Sequence, residues 1–127
     1  MDIQGLEERL AILTVSEVVT ERSAKICLDA FSQLQRRLGA EKIENSEMLF
    51  THLPTAITRI ERGEEIKGPM PELMAEVKQS EWFDEAMEEI RYIETIHGKP
   101  LPPEEIDYLL LHYTTVFLQN QNRRVME

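Results

Sequence analysis

Residues 101–118 read LPPEEIDYLLLHYTTVFL, and this stretch predicts the helix around which the rest of the chain packs. We expect the helix to run from Pro103 to about Gln121. Two carboxylates in its first turn, Glu104 and Glu105, meet the positive end of the helix dipole. Its apolar side chains leave almost no wholly polar face: Leu109, Leu110, Leu111, Tyr113, Val116, Phe117 and Leu118. A helix that is apolar nearly all round is largely buried, either at the centre of a bundle or against a partner.

Upstream of this stretch, apolar residues recur every three or four positions, as the buried face of a helix requires. The first such helix is expected from Ile3 to Leu13. The second begins near Thr20, an acceptable N-cap, and runs to Leu38, where Gly39 supplies the C-terminal stop. Its buried stripe consists of Ala24, Cys27, Phe31, Leu34 and Leu38.

Prolines and a serine mark the remaining helices. Pro54 lies inside the third helix, so either that helix is kinked near Phe50 or its regular part begins around Thr51. Pro71 suits the first turn of a short fourth helix, and Ser80 can cap a longer fifth one. The sequence contains no strand pattern and no internal repeat. It therefore predicts an all-α bundle of about five to six helices.

Length and charge limit the class of protein. A chain of 127 residues favours one compact domain. Its net charge of −10 would repel a nucleic-acid backbone, so we expect no direct nucleic-acid binding. No apolar run approaches the roughly 20 residues that span a bilayer, and the N-terminus lacks the positive charge of a signal peptide. We therefore expect a cytoplasmic protein without membrane contact, in which the single cysteine, Cys27, lies in the core.

Residues 48–63, MLFTHLPTAITRIERG, place a histidine at the edge of a buried stripe. Positions seven apart on a helix return to nearly the same face, so His52 shares a face with Arg59. An arginine there can receive a phosphoryl group through two parallel hydrogen bonds. The alternative for His52 is a boundary histidine bonded to a carbonyl. The alternative for Arg59 is an ion pair with a nearby acidic residue: Glu61, Glu64 or Glu65.

The same spacing puts His112 on one face with Glu105. Glu105 could orient the imidazole through one nitrogen and leave the other nucleophilic, or it could be only a first-turn carboxylate. His97 precedes Gly98 at a helix end, and we interpret it as a favourable C-terminal cation. Two histidines in such helical phrases suit a protein that carries phosphoryl groups better than they suit a hydrolase. Such a protein needs both rings near one surface, so we expect His52 and His112 on facing or adjacent helices.

Other chemistries have less support. A metal centre needs three or four ligands in recognisable spacing, and the chain contains neither H-x-x-x-H nor C-x-x-C. Convergence of His52, His112 and Glu105 on zinc is the one metal alternative. None of the five glycines forms a phosphate-binding G-x-G or G-x-x-x-x-G-K pattern. We therefore expect no metal, no cofactor and no catalytic residue.

The two histidine stretches resemble the motifs of the PTS regulation domain (PRD), the helical module through which the bacterial sugar phosphotransferase system controls transcriptional regulators. The first family motif, roughly H-L-x-x-A-I-x-R, is matched by His52, Leu53, Ala56, Ile57 and Arg59. The second, roughly L-P-x-x-E-I-x-Y-L-x-L-H, is matched by Leu101, Pro102, Glu105, Ile106, Tyr108, Leu109, Leu111 and His112. Pro54 departs from the first motif. The resemblance covers residues 16–122, within one predicted domain of residues 1–127 whose residues 1–15 form an N-terminal helical extension.

The resemblance implies that His52 and His112 accept phosphate and that Arg59 accompanies the first of them. It implies the phosphocarrier HPr, or another phosphotransferase component, as phosphoryl donor, and an unknown regulator as output partner. Such modules usually occur in tandem behind an RNA-binding or DNA-binding domain, so this chain resembles the stand-alone members. A symmetric homodimer through the histidine-bearing surfaces is the simplest way to read out phosphorylation.

We therefore expect a regulatory module that is not an enzyme. One alternative is a helical phosphocarrier subunit of a sugar transport system, which would need one dominant histidine that passes phosphate onward. The other is an interaction bundle whose histidines are not phosphorylated.

Overall fold

A computed structural model of the protein describes the backbone of residues 1–125 and the side chains of residues 1–121. This part of the chain forms six helices and no strand, which confirms the predicted all-α bundle. The helices are α1 (Ile3–Val15), α2 (Glu21–Leu38), α3 (Glu47–Glu61), α4 (Pro71–Lys78), α5 (Phe83–His97) and α6 (Pro103–Val125). Among the described residues, no helix has the length and apolarity that a membrane crossing requires.

Local sequence sets the ends of α2. The side chain of Thr20 accepts a hydrogen bond from the Ser23 N–H at 3.1 Å, which satisfies one of the free donors of the first turn. Gly39 adopts a left-handed conformation with φ of 64°, and its N–H bonds back to the Gln35 carbonyl. This conformation costs a glycine little, so the helix ends there. Both predicted ends are confirmed.

The third helix continues through its proline. It begins at Glu47, so the expectation that its regular part starts around Thr51 is wrong. Pro54 has no N–H to donate to the Phe50 carbonyl one turn earlier. The Cys27 thiol of α2 supplies the missing donor, with Sγ 3.5 Å from that carbonyl oxygen. Cys27 is fully buried, and burial raises the pKa of its thiol well above the usual range. Cys27 is thus a core residue, as predicted.

Helix α6 lies at the centre of the bundle. It packs against α2, α3, α4 and α5. Five of its apolar side chains are buried in the core: Leu109, Leu110, Tyr113, Val116 and Phe117. The predicted burial of this helix is therefore confirmed. It extends to Val125 rather than ending near Gln121, because a formed helix propagates readily through residues such as arginine once its core face is buried.

His97, at the end of α5, is not the helix-end cation that the sequence suggested. The residue is 6% exposed, and its Nδ1 lies 3.1 Å from Nη1 of Arg22 on α2. Burial first, and then the positive charge of Arg22, lower the pKa of His97. Arg22 also donates to the His97 carbonyl oxygen. The cation that meets the negative end of α5 is therefore Arg22, supplied by a neighbouring helix.

Candidate functional site

The side chains of His52 on α3 and His112 on α6 lie next to each other. Their ring centroids are 5.0 Å apart, with the ring planes inclined by 39°. The predicted proximity of the two histidines is confirmed, because α3 and α6 pack directly against each other. Tyr108, one turn before His112, completes an aromatic cluster, with its ring 5.3 Å from that of His52.

Glu105 binds His52 rather than His112. Its Oε1 lies 2.7 Å from Nε2 of His52, and its side chain is 0% exposed whereas that of His52 is 27% exposed. The prediction that Glu105 orients His112 is therefore wrong. The seven-residue spacing correctly places Glu105 and His112 on one face of α6. The ring that reaches the carboxylate, however, is that of His52 on α3.

The bond to Glu105 determines which nitrogen of His52 can act as a nucleophile. An ionised carboxylate only accepts hydrogen bonds, so Nε2 of His52 carries the proton and donates it. In the neutral ring, the lone pair is then on Nδ1. The second oxygen of Glu105, Oε2, is buried and has no hydrogen-bond partner among the described residues. This carboxylate stabilises positive charge on the His52 ring and opposes additional negative charge near it.

His112 occupies a different electrostatic environment. Burial first, and then the charge of His52, lower the pKa of His112 to about 4. The ring is consequently neutral near pH 7, with a lone pair on one of its nitrogens. This is the protonation state that a nucleophilic histidine requires.

Two open pockets meet at His52, and each is large enough for a phosphoryl group. The first has a volume of about 460 Å³, and its polar lining includes His52, Arg59, Lys67, Glu105 and Tyr108. The second has a volume of about 470 Å³, and its lining includes Arg9, Glu47, Thr51, His52, Arg59 and His112. His52 and Arg59 therefore border both pockets, whereas His112 borders only the second.

Arg59 is exposed and is available to an anion. In the described part of the chain it makes no ion pair. Of its three expected acidic partners, Glu61 instead lies 3.7 Å from Nη1 of Arg22 and accepts a hydrogen bond from Ser23. The alternative of a surface ion pair for Arg59 thus has no support from these contacts.

Sequence reasoning missed two cations of the site, Arg9 on α1 and Lys67 in the connection between α3 and α4. Neither shares a helix with a histidine, so no helical spacing relates them to the site. The only available signal was positive charge in a chain with a net charge of −10. Together with Arg59 they place three cations beside a histidine pair, an arrangement that suits a bound phosphoryl group.

The described residues contain no group of three or more His, Cys, Asp and Glu side chains arranged to hold a metal ion. The zinc alternative for His52, Glu105 and His112 thus has no support from this geometry. The chemistry of the cluster is that of imidazoles beside cationic side chains: nucleophilic attack and the binding of an anion.

The depressed pKa of His112 predicts a pH-dependent stability. In the unfolded chain a histidine takes up a proton below about pH 6.5, whereas folded His112 does so only near pH 4. The part of the free energy of unfolding that comes from keeping His112 neutral is therefore fully present above pH 6.5, and it is lost as the pH falls toward 4. The size of the pKa shift limits this loss to roughly 3 kcal/mol. We expect a smaller value, because solvent partly screens the ring.

Urea unfolding between pH 7 and pH 4 measures this loss, and the His112→Gln variant should lose less stability over the same interval. NMR titration of the imidazoles gives the site-resolved control. Protonation of His112 near pH 6.5 would contradict the structure.

Comparison with known proteins yields one match. A model of the PRD domain family matches residues 24–116, which include both histidines, Arg59 and Glu105. No curated protein and no solved structure gives a significant match. The resemblance inferred from the two motifs is confirmed. Because the matched residues make up well over half of the chain, the protein belongs to the PRD domain family.

Proposed function

We propose that this protein is a regulatory module that accepts phosphoryl groups on His52 and His112 from a component of the sugar phosphotransferase system, such as the phosphocarrier HPr. It controls a transcriptional regulator through protein–protein contacts and does not itself catalyse turnover of a substrate. Membership in the PRD domain family supports this proposal. The observation that carries it is the pair of imidazoles 5.0 Å apart on two different helices, beside cations that have no carboxylate partner among the described residues.

The transfer step follows from the hydrogen bond of His52. The lone pair on Nδ1 attacks the phosphorus of a phosphohistidine on the donor, and a new N–P bond forms as the donor N–P bond breaks. The donor nitrogen keeps the bonding electrons and takes up a proton, while the His52 ring loses the proton on Nε2. Glu105 accepts the hydrogen bond from that nitrogen and stabilises the positive charge that develops on the ring during attack.

Phosphorylation would change the packing forces between α3 and α6. A phosphoryl group adds roughly −1.5 to −2 charges at pH 7. Next to the buried carboxylate of Glu105 this charge is repelled, and next to Arg59 it is attracted. Both effects act at one helix–helix contact, so phosphorylation biases the arrangement of α3 against α6 and of any partner bound there.

A homodimer through this surface is part of the proposal. Met48 on α3 is 75% exposed and lines the same pocket as His112. An exposed apolar side chain provides area that a second protomer can bury. A phosphoryl group on a neighbouring histidine would oppose that burial, because its charge would have to lose contact with water. Sedimentation of the unmodified and phosphorylated protein tests this, and a sedimentation coefficient independent of both concentration and phosphorylation would contradict a regulated dimer.

Reconstituted phosphotransfer tests the function. The protein is incubated with phosphoenolpyruvate, the general phosphotransferase enzyme and HPr, and acid-labile phosphate on the protein is measured. The regulatory proposal predicts phosphate that is retained on the protein. Rapid onward transfer of label to a sugar-specific acceptor would support a phosphocarrier instead, and no incorporation from any phosphotransferase component would support an interaction bundle.

Substitution of Arg59 should reduce phosphate on both histidines, because its guanidinium borders both pockets. A charge-assisted hydrogen bond contributes about 1.5–3 kcal/mol, so Arg59→Gln should lower site occupancy by roughly tenfold or more. Lysine retains the charge but not the bidentate geometry, so Arg59→Lys should fall between the two. Quantitative phosphopeptide mapping measures the effect, and unchanged occupancy in Arg59→Gln would remove Arg59 from the site.

A further inference from the structure

Helix α1 contributes one side chain to the pocket that contains His112. Arg9 lies at the end of the second turn of α1, is half-buried, and lines this pocket together with Thr51, Arg59 and both histidines, His52 and His112. The residues matched by the family model begin at residue 24, so α1 lies outside them. Two core leucines, Leu6 and Leu10, fix α1 to the bundle on either side of Arg9 in the sequence.

We infer that Arg9, together with Arg59, receives a phosphoryl group on His112, so that α1 completes the second phosphate site of the protein. This inference rests on the proposed function, because it assigns a partner to one of the two phosphorylation sites. It goes beyond that function by separating the sites: His52 and Arg59 border both pockets, whereas Arg9 and His112 border only the second.

The contacts of Arg9 leave it free to bind an anion. Its Nη1 donates to Oγ1 of Thr51 at 2.8 Å, which uses one of the five N–H donors of the guanidinium. In the part of the chain described by the structure, Arg9 has no carboxylate partner. Glu47 borders the same pocket, but its Oε1 lies 3.8 Å from the N-terminal ammonium of Met1. A partly buried arginine held in place by a neutral hydroxyl is preorganised for an incoming dianion.

Binding of phosphate by Arg9 would connect three helices. Arg9 on α1 already contacts Thr51 on α3, and a phosphoryl group on His112 would add a link from α1 to α6. His52 also borders the first pocket, where Arg59 and Lys67 offer positive charge to a phosphoryl group without a contribution from α1. Phosphorylation of the two histidines therefore has different structural consequences, and α1 responds to the one on His112.

Chemical phosphorylation separates this inference from the proposed function. Phosphoramidate transfers a phosphoryl group to histidine without a protein donor, so the measurement does not depend on recognition of HPr. We would treat the full chain and its variants with phosphoramidate, remove the reagent, and follow phosphate on His52 and His112 separately by mass spectrometry at alkaline pH. Circular dichroism confirms that each variant is folded.

In Arg9→Gln, steady-state phosphate on His112 should fall by roughly tenfold, as expected for loss of a charge-assisted hydrogen bond, while phosphate on His52 should change less than twofold. Arg9→Lys should recover part of the loss. Thr51→Val keeps the Arg9 charge and removes only its hydroxyl partner, so it should lose less than Arg9→Gln. Arg91→Gln, which removes an exposed arginine paired with Glu94 on α5, serves as the matched charge control and should behave as wild type.

Equal phosphate on His112 in wild type and Arg9→Gln would overturn the inference, as would an equal loss at both histidines. A loss in Thr51→Val as large as that in Arg9→Gln would assign Arg9 a structural role only. If the wild-type protein takes up no phosphate on His112 from phosphoramidate, the assigned pocket does not accommodate the group and the inference fails. If phosphoramidate labels His112 but no phosphotransferase component does, the proposed function fails and the role of Arg9 is still decided by the variants.

Discussion

The variant His52→Gln/His112→Gln should incorporate no phosphate above background when incubated with phosphoenolpyruvate, the general phosphotransferase enzyme and HPr. The two imidazoles are the nucleophiles of the proposed site, and an amide nitrogen cannot replace them. Glutamine is the appropriate substitution because its amide N–H can still donate to the buried carboxylate of Glu105. The fold is thereby retained, and loss of label reports on chemistry. Incorporation of radioactive phosphate into the purified variant measures the effect.

His97 provides the internal control. Its ring is buried, and Nδ1 faces the guanidinium of Arg22, so it presents no comparable nucleophile to a protein donor. The variant His97→Gln should be labelled to the wild-type level. Label that persists in the double variant, or that disappears in His97→Gln, would show that phosphorylation does not occur at the proposed site.

Substitution of Arg37 should have the largest effect on stability. Nε of Arg37 on α2 lies 3.0 Å from Oε2 of Glu89 on α5, and its Nη2 lies 2.6 Å from Oε2 of Glu88. Glu89 is 1% exposed, and burial raises the pKa of its carboxyl against the opposing influence of Arg37. Removing the guanidinium leaves this carboxylate buried and unpaired. Such a loss costs about 3–5 kcal/mol, which is a large share of the roughly 5–15 kcal/mol of a typical domain.

Urea unfolding of Arg37→Met at pH 7 measures the loss. In this variant Glu89 should take up a proton more readily than in the unfolded chain, where its pKa is near 4.3. The variant should therefore lose stability as the pH rises above that value. Arg37→Met/Glu89→Leu should recover most of the loss, because the second substitution removes the unpaired charge. A loss below about 1 kcal/mol in Arg37→Met would show that the pair contributes as little as an exposed one.

Local signals in the sequence predicted most of the fold. Thr20 and Gly39 have side-chain and backbone properties that set a helix end without help from distant residues, and both ends of α2 were predicted correctly. The apolar circumference of α6 likewise predicted its central place. Pro54 was less informative, because the donor that compensates for its missing N–H is Cys27 on another helix.

The partners within the site could not be predicted in the same way. Helical spacing correctly placed Glu105 on one face with His112, but the ring that it binds is His52, which packs across from it. Arg9 was missed because its place beside His112 depends on how α1 packs against the bundle. His97 was misread because the cation beside it, Arg22, comes from another helix, α2. Each of these errors concerns a contact between helices, whereas sequence periodicity reports only on positions within one helix.

The most direct test of the account is to map phosphate on the wild-type protein. After incubation with phosphoenolpyruvate, the general phosphotransferase enzyme and HPr, the protein is digested at alkaline pH and its phosphopeptides are sequenced by mass spectrometry. The account predicts phosphohistidine at His52 and His112, and nitrogen NMR of the intact protein should place the group of His52 on Nδ1, since Nε2 is bonded to Glu105. Phosphate at neither histidine, or at His97, would contradict the central claim.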